Sequence, residues 1–194
     1  MISTLIKKHS FSMVYDSQKV FRLILEAMSN PSRIVHIGEY AEKLNSEYPV
    51  LLAVAMTLLD NEVSFSCEGR SLPDEITSLT LAKRERTESA DFVFVIKPDG
   101  IKTAIEKAKY GTLSDPHKSA TVIILNDKEP ILQLVFSGPG IDGREAAQAT
   151  ETAMAAIALR DAQNDEYPQG IDLIFVSSSG ELFAVPRLTR VEVE

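Results

Sequence analysis

Asp115 and His117, two residues of one short loop, have side chains that could perform acid–base chemistry or bind a metal ion. A carboxylate and an imidazole serve as general acid and general base in many enzymes, and both are common metal ligands. The other histidines, His9 and His36, lie in distant segments, and no H-E-x-x-H pattern is present. Because an Asp-Pro pair is also typical of a capped turn, we expect a turn without a metal ion. Asp115 and His117 remain the catalytic candidates.

A second pattern is the glycine-rich segment at residues 138–143, which reads Gly-Pro-Gly-Ile-Asp-Gly. It formally satisfies G-x-G-x-x-G, the motif whose backbone amides bind the pyrophosphate of a dinucleotide at the start of a helix. Pro139 has no amide hydrogen to donate, and Asp142 would place a negative charge beside the phosphate. We therefore predict that Gly138, Pro139 and Gly140 form a structural turn and that the chain holds no cofactor. Dinucleotide binding is the alternative interpretation.

Charged residues near the strand ends provide the third group of candidates. Asp172 lies near the start of a predicted buried strand, and Arg187 and Arg190 follow the next strand. A buried aspartate paired with an arginine commonly holds a fold together, whereas a free arginine can bind a phosphate or a partner's carboxylate. We expect a structural pair and keep the binding role open. Arg22 and Arg33, which flank an Asn-Pro pair, have the same two interpretations.

The single cysteine, Cys67, restricts the chemistry further. One cysteine excludes an intrachain disulfide and any all-cysteine metal site within the chain, and it is typical of a reducing compartment. Its neighbour Glu68 is expected to raise the pKa of the thiol, which would make Cys67 a poor nucleophile. The sequence also lacks a G-x-x-x-x-G-K-[ST] phosphate loop and a G-x-S-x-G nucleophile elbow. No self-sufficient catalytic set is recognised.

Length and charge define the class of protein. A chain of 194 residues can bury a core as one domain, and we predict a single domain over residues 1–194. The formal net charge of -8 opposes binding to nucleic acid and to anionic membranes. No segment approaches the roughly 18 apolar residues of a membrane span, and the N-terminus does not resemble a secretory signal. The expected location is the cytoplasm.

Apolar periodicity predicts an α/β protein with a mixed central sheet. Helices are expected at residues 16–28, 49–59, 71–85, 101–109 and 144–163, and strands at residues 63–67, 92–96, 120–125, 131–136, 171–176, 181–185 and 190–194. The strand at residues 92–96 is apolar throughout, as in a sheet covered by helices on both faces. A short polar link predicts a hairpin between residues 120–125 and 131–136, and the last strand is expected at an edge. The helix at residues 49–59 is apolar on nearly every side, so it is either buried or packed against another chain.

Five segments, in the same order along the chain, resemble the PhnH family, a subunit of the bacterial carbon–phosphorus lyase core complex. They read FRLILEAMSNPSRI, VAMTLLDNE, GTLSDPHKSATVI, SGPGI and PQGIDLIFV with VPRLTRV, and they cover nearly the whole sequence. Two positions depart from the family pattern, because Ser32 follows Pro31 where glycine is usual and Leu188 stands where threonine is usual. These departures concern local turn geometry and any polar role of residue 188.

The resemblance implies a three-layer α/β/α sandwich, similar to the fold of pyridoxal-phosphate-dependent transferases but without a functioning cofactor site. It also implies a homodimer in a complex with the PhnG, PhnI and PhnJ subunits, which forms alpha-D-ribose 1-methylphosphonate 5-triphosphate from ATP and methylphosphonate. The leading hypothesis is a structural or accessory subunit. The alternative is an enzyme acting on a nucleotide or phosphonate, with Asp115, His117, Asp172 and Arg187 in one pocket. The binding or interface candidates are Arg22, Pro31, Arg33, Gly138, Pro139, Gly140, Asp172 and Arg187.

Overall fold

The computed structural model describes residues 9–163 and 167–193. In this part of the chain the α-helices are α1 (Tyr15–Ser29), α2 (Gly38–Ala41), α3 (Pro49–Leu58), α4 (Ser71–Thr80), α5 (Ile101–Lys107) and α6 (Glu151–Asp161). The strands are β1 (Val35–His36), β2 (Ser64–Cys67), β3 (Lys83–Arg84), β4 (Phe92–Val95), β5 (Thr121–Leu125), β6 (Leu132–Ser137), β7 (Glu145–Ala149), β8 (Asp172–Val176), β9 (Glu181–Val185) and β10 (Arg190–Val193). Short 3-10 helices occur at Pro98–Gly100 and Pro116–Lys118.

The strands form two sheets. The larger sheet has the order β1-β9-β8-β5-β4-β2-β3. Its strands from β8 to β3 are parallel, whereas β9 runs antiparallel to both of its neighbours, β8 and β1. The smaller sheet is antiparallel and has the order β10-β6-β7. The predicted α/β class and mixed central sheet are therefore confirmed, and the last strand lies at an edge as expected.

Two hydrophobic clusters cover the two faces of the larger sheet. Along β8, Ile174 and Val176 pack with residues of α1, α3 and α4. Leu173 and Phe175, which alternate with them, pack with residues of α5, α6 and β6. Burial on both faces explains why the parallel strands are continuous apolar runs. Helices cover both faces of the larger sheet as predicted. The prediction did not include the smaller sheet, which covers one of these faces together with α5 and α6.

Helix α3 is buried within the chain's own core. Every residue from position 50 to 56 is at most 5% exposed, and these side chains contact α1, α4 and the central sheet. This resolves the two interpretations of its all-round apolar pattern in favour of burial, because no face of α3 is left for a second chain. Among the described residues, no helix is long and apolar enough to cross a membrane.

The segment predicted as one helix at residues 144–163 is a strand followed by a helix. Residues Glu145–Ala149 pair with β6 as β7, and α6 begins after Thr150, whose Oγ1 accepts a hydrogen bond from the Ala153 backbone at 3.0 Å. The prediction was wrong in its first part because helix propensity, although highest for alanine, is small in energy and is overridden by pairing with a neighbouring strand.

The predicted hairpin between β5 and β6 is also wrong. Strand β5 lies inside the larger sheet with β4 on one side and β8 on the other, so neither of its edges is free. Strand β6 pairs instead with β7 and β10 in the smaller sheet. The polar link after β5 therefore carries the chain from one sheet to the other.

The basic residues Lys83 and Arg84, expected in the third helix, form strand β3. Helix α4 ends at Thr80, and Leu81 adopts the left-handed conformation with φ of 64°. A residue in this conformation cannot continue a right-handed helix, so the chain turns back along β2 and pairs with it in parallel.

The first turn of α1 is fixed by reciprocal hydrogen bonds between Ser12 and the helix. The Ser12 backbone donates to Asp16 Oδ2 at 2.7 Å, and Ser12 Oγ accepts from the Tyr15 backbone at 3.1 Å. Lys43 Nζ lies 2.6 Å from Asp16 Oδ1 and ties the turn to the segment after α2. Asp16 stabilises the helix start as predicted, but it does so from within the first turn.

Helix α1 has two apolar faces rather than one. Its inner face is buried through Val20, Ile24 and Ala27. Phe21 and Leu25, which were predicted on the same buried face, are 48% and 53% exposed. Successive residues of a helix lie about 100° apart, so these two side chains follow their buried neighbours but point away from the core.

We expect Asp16 to make stability depend on acid pH. The hydrogen bond from Lys43, followed by that from the Ser12 backbone, lowers the pKa of the Asp16 carboxyl below its ordinary value. A carboxyl whose pKa is lower in the folded state stabilises the protein above its unfolded pKa, and this contribution disappears as pH falls through the folded value. Asp16→Asn should therefore lower the thermal midpoint at neutral pH and flatten its decline below about pH 4.

Circular-dichroism melts across the acid range measure this effect. Asp74→Asn is the matched control, since Asp74 is an exposed aspartate in the first turn of α4. Equal pH profiles for the two variants would contradict the role assigned to Asp16.

Candidate functional site

Asp172 and Arg187 form a bidentate ion pair where β8 begins and β9 has just ended. Arg187 Nη2 lies 2.5 Å from Asp172 Oδ2, and its Nε and backbone nitrogen donate to Asp172 Oδ1 at 3.2 and 2.8 Å. The antiparallel pairing of Leu173 with Val185 brings the two residues opposite each other. The side chain of Arg187 is only 21% exposed and that of Asp172 only 12%, so the pair is largely withdrawn from water. Bidentate geometry of this kind is the strong form of an arginine–carboxylate contact.

The third nitrogen of the guanidinium reaches the loop that carries the catalytic candidates. Arg187 Nη1 donates to the Pro116 carbonyl at 2.7 Å. The loop is closed at its other end by Gly111, which has φ of 76° and would place an added Cβ 2.9 Å from the same carbonyl. We call this arrangement of Arg187, Asp172 and the Pro116 carbonyl the arginine junction.

Asp115 and His117 lie beside the arginine junction but on its solvent side. The His117 side chain is 73% exposed, and its Nε2 is 4.0 Å from Asp115 Oδ1. Asp115 Oδ2 pairs with Lys118 Nζ at 3.1 Å. The arrangement is an exposed cluster on a short 3-10 helix, in keeping with the predicted turn.

The four residues of the enzyme hypothesis share a neighbourhood without sharing a pocket. A groove of about 810 Å³ is lined by Arg187 together with Tyr167, Gln169 and Arg190, but not by Asp115, His117 or Asp172. All three guanidinium nitrogens of Arg187 are already hydrogen-bonded within the chain. The geometry therefore leaves Arg187 poorly placed to bind a substrate anion.

The glycine-rich segment packs against the chain as a turn. An added Cβ at Gly138 would lie 2.9 Å from the Leu188 carbonyl, and one at Gly140 only 2.3 Å from the Ser29 carbonyl and 3.5 Å from Pro31 Cδ. These contacts explain why both positions carry glycine. The segment is followed by strand β7, whereas the dinucleotide motif requires a helix N-terminus at this point.

The remaining arginine candidates are separate from the arginine junction. Arg33 pairs with Glu26 at 2.9 Å on the surface. Arg22 is exposed on α1 and lines a shallow depression with Lys19 and His36. The structure therefore connects Pro31 with the glycine-rich turn but does not bring Arg22 or Arg33 to the same place.

Glu68 raises the pKa of the Cys67 thiol as predicted, but burial is the larger cause. Cys67 is 5% exposed, and burial raises the pKa of its thiol to about 12. Glu68 adds to this increase in pKa and Arg84 opposes it, but both effects are smaller than that of burial. Within the described residues, no group of three or more histidine, cysteine or acidic side chains could hold a metal ion.

Sequence reasoning missed a buried arginine in α6. Arg160 is 4% exposed, and its guanidinium donates to the carbonyls of Val185, Pro186 and Thr189 at 3.2, 3.1 and 2.9 Å. It fixes the segment in which Arg187 lies. Its position inside an apolar helix was the available signal, because a cation there requires a buried partner.

Two cavities at the carboxyl ends of the parallel strands were also missed. One, of about 280 Å³, lies beyond β2 and β4 and is lined by Glu68, Gly69, Arg70 and Lys97 among others. Next to this cavity, the Arg84 guanidinium donates hydrogen bonds to the carbonyls of Cys67 and Gly69.

The other cavity, of about 310 Å³, lies beyond β5 and β8. Ligands of α/β proteins commonly bind at this edge of the sheet. The available signal was the group of polar residues that directly follows each strand.

The whole described fold matches one protein family. The model of the bacterial phosphonate metabolism protein family, PhnH, matches residues 9–192. The chain belongs to the PhnH family. A similar protein is the putative C-P lyase subunit protein HtxG of Stutzerimonas stutzeri, 28% identical over 180 residues that cover 91% of this chain and 86% of the relative.

A second relative is named as a subunit of a synthase. The alpha-D-ribose 1-methylphosphonate 5-triphosphate synthase subunit PhnH of Rhizobium meliloti (strain 1021) is 26% identical over 190 residues, which cover 93% of this chain and 92% of the relative. The resemblance found in the sequence is thus confirmed at the level of the family.

We predict that the ion pair of the arginine junction acts on stability. Arg187→Met would leave the Asp172 carboxylate without its partner, and the unfolding free energy should fall by about 2–4 kcal/mol. Replacing both residues, as Asp172→Leu with Arg187→Met, should restore part of this loss because no charge is then left unpaired. Urea unfolding measures the three values.

Arg190→Met is the control, since Arg190 is an exposed neighbour on β10. We expect its effect to stay within about 0.5 kcal/mol. An Arg187→Met variant as stable as this control would contradict the structural role.

Proposed function

We propose that this chain is an accessory subunit of a carbon–phosphorus lyase complex in bacterial phosphonate metabolism. In this role it supports the formation of alpha-D-ribose 1-methylphosphonate 5-triphosphate from ATP and methylphosphonate. The observation that carries the proposal is the match of the PhnH family over residues 9–192, together with relatives named as subunits of such complexes. A cytoplasmic location and a three-layer fold of the transferase type, without a cofactor, belong to the same proposal.

The state of the candidate catalytic residues supports an accessory role. Each guanidinium nitrogen of Arg187 donates to Asp172 or to the Pro116 carbonyl, and Asp115 and His117 are exposed beside it. A catalytic pair requires side chains that converge on one point where a reacting atom can sit. The rival enzyme hypothesis lacks such a point, so we assign the chemistry to partner subunits.

An apolar stripe on the outside of α1 supports docking to other chains. Val14, Phe21 and Leu25 are spaced by seven and four residues, which places them on one face of the helix. They are 69%, 48% and 53% exposed. We call these three residues the outer stripe. Exposed apolar side chains on one helix face can mark protein–protein contact.

Because α3 is buried, we place the interface at the outer stripe. The all-apolar α3 was one candidate for the docking helix, but its side chains are enclosed by the chain's own core. We assign the outer stripe to the homodimer, and contacts with PhnG, PhnI and PhnJ to the complex built on that dimer.

We predict that charges in the outer stripe prevent dimerisation. A chain carrying Phe21→Glu and Leu25→Glu should remain folded, because both side chains point away from the core, but should be monomeric at micromolar concentration in light scattering. The matched control is Leu81→Glu, which replaces a 70% exposed leucine after α4 and should leave the dimer intact. A dimeric double variant would rule out the outer stripe as the interface.

The proposed role in the complex is tested by co-purification and growth. A tagged chain should co-purify with PhnG, PhnI and PhnJ, and it should restore growth on methylphosphonate to a strain that lacks its own subunit. Failure to co-purify, with a folded chain, would contradict membership of the complex. Growth without this subunit would contradict its requirement.

A further inference from the structure

The cavity beyond β5 and β8 contains a buried amide with an unused donor. Asn126 directly follows β5 and is 8% exposed, and its backbone nitrogen donates to the Val176 carbonyl at 2.7 Å. Its Oδ1 accepts from Thr150 Oγ1 at 2.7 Å. Among the described residues, Asn126 Nδ2 makes no hydrogen bond, although the side chain lines the cavity.

The orientation of this amide is fixed by the start of α6. Thr150 Oγ1 accepts from the Ala153 backbone and donates its own hydrogen to Asn126 Oδ1. This leaves Nδ2 as the group that Asn126 presents to the cavity. Nδ2 is itself accessible from the cavity, so a ligand there can supply an acceptor for it.

An aromatic wall lies next to the amide. The rings of Phe175 and Phe183 are stacked with centroids 4.7 Å apart and an interplanar angle of 15°. Both rings line the cavity, and Ile34 and Pro130 add apolar surface. Phe183 is partly exposed, so it offers ring surface on which a flat ligand can stack.

The charge of the cavity excludes anions. Its lining contains the carboxylates of Glu129 and Glu181, that of Asp127, which accepts from the backbone and hydroxyl of Ser178, and the ammonium of Lys128. Lys128 lies 3.6 Å from Glu151, a further carboxylate outside the lining. A phosphate or carboxylate group would be repelled here, whereas an amino group finds acceptors.

We propose that this cavity binds an amino-substituted nitrogen heterocycle. The ring stacks on Phe183, a ring nitrogen or carbonyl accepts from Asn126 Nδ2, and the amino group donates to the carboxylates at the mouth. The volume of about 310 Å³ is at the lower end of ligand pockets and suits a single ring system. The site is separate from the arginine junction and does not depend on the proposed role in the complex.

Cytosine and uracil are the matched probes, because uracil has a carbonyl in place of cytosine's amino group and an N–H in place of its acceptor ring nitrogen. Titration of the ¹⁵N-labelled full chain should shift the side-chain amide signals of Asn126 with cytosine. Uracil should bind at least about tenfold more weakly, since a carbonyl would face the carboxylates. The anion orotate should not shift these signals.

Two variants isolate the contacts. Asn126→Asp keeps the acceptor for Thr150 but removes the donor, and Phe183→Leu removes the stacking surface; each should weaken cytosine binding about tenfold. Phe92→Leu, at a partly buried phenylalanine of the other hydrophobic cluster, should leave binding unchanged. Unshifted Asn126 signals at millimolar cytosine, equal binding of uracil, or unchanged binding by the folded Phe183→Leu variant would overturn the proposal.

Discussion

The contact between Arg187, Asp172 and the Pro116 carbonyl connects three distant parts of the chain. Asp172 begins strand β8 of the larger sheet, Arg187 lies between β9 and β10, and Pro116 belongs to the loop before β5. Each of these segments would otherwise hold polar groups withdrawn from water without a partner. Gly111 permits the loop to approach, and Arg160 fixes the segment after β9 through its carbonyls. The position of the C-terminal strand on the smaller sheet depends on this junction.

This constraint changes the meaning of the candidate catalytic residues in the sequence. Asp115, His117, Asp172 and Arg187 are residue types that enzymes use, and the fold does bring them into one neighbourhood. Each guanidinium nitrogen of Arg187 already has a partner within the chain, however, and the imidazole faces solvent. Polar residues that stabilise loops, and an outer helix face that presents apolar side chains, support the proposed accessory role.

Much of the fold could be predicted from local patterns, because strands buried on both faces are continuous apolar runs. Residues 92–96 and 171–176 are of this kind, and their strands were found as expected. Position in the sheet could not be predicted in the same way. The assignment of β6 and of Glu145–Ala149 to a second sheet depends on which edges of β5 are already occupied, and alanine carries little information about that choice.

The site was predictable only in part, for a related reason. The pairing of Asp172 with Arg187 follows from strand ends that face each other, and the sequence suggested it. Asn126, Thr150 and Arg160 gave no motif, because their roles arise from burial and from partners far along the chain. The apolar periodicity of α1 predicted one buried face where two apolar faces exist, since periodicity alone does not say which apolar residues face the core.

The central claim is that the arginine junction holds the subunit's shape and takes no part in the chemistry. The most direct test places the Asp172→Leu and Arg187→Met double variant in a strain that lacks this subunit and measures growth on methylphosphonate and recovery of the assembled complex. Our account predicts that the folded double variant assembles and supports growth. Normal assembly of the complex with complete loss of growth would contradict it.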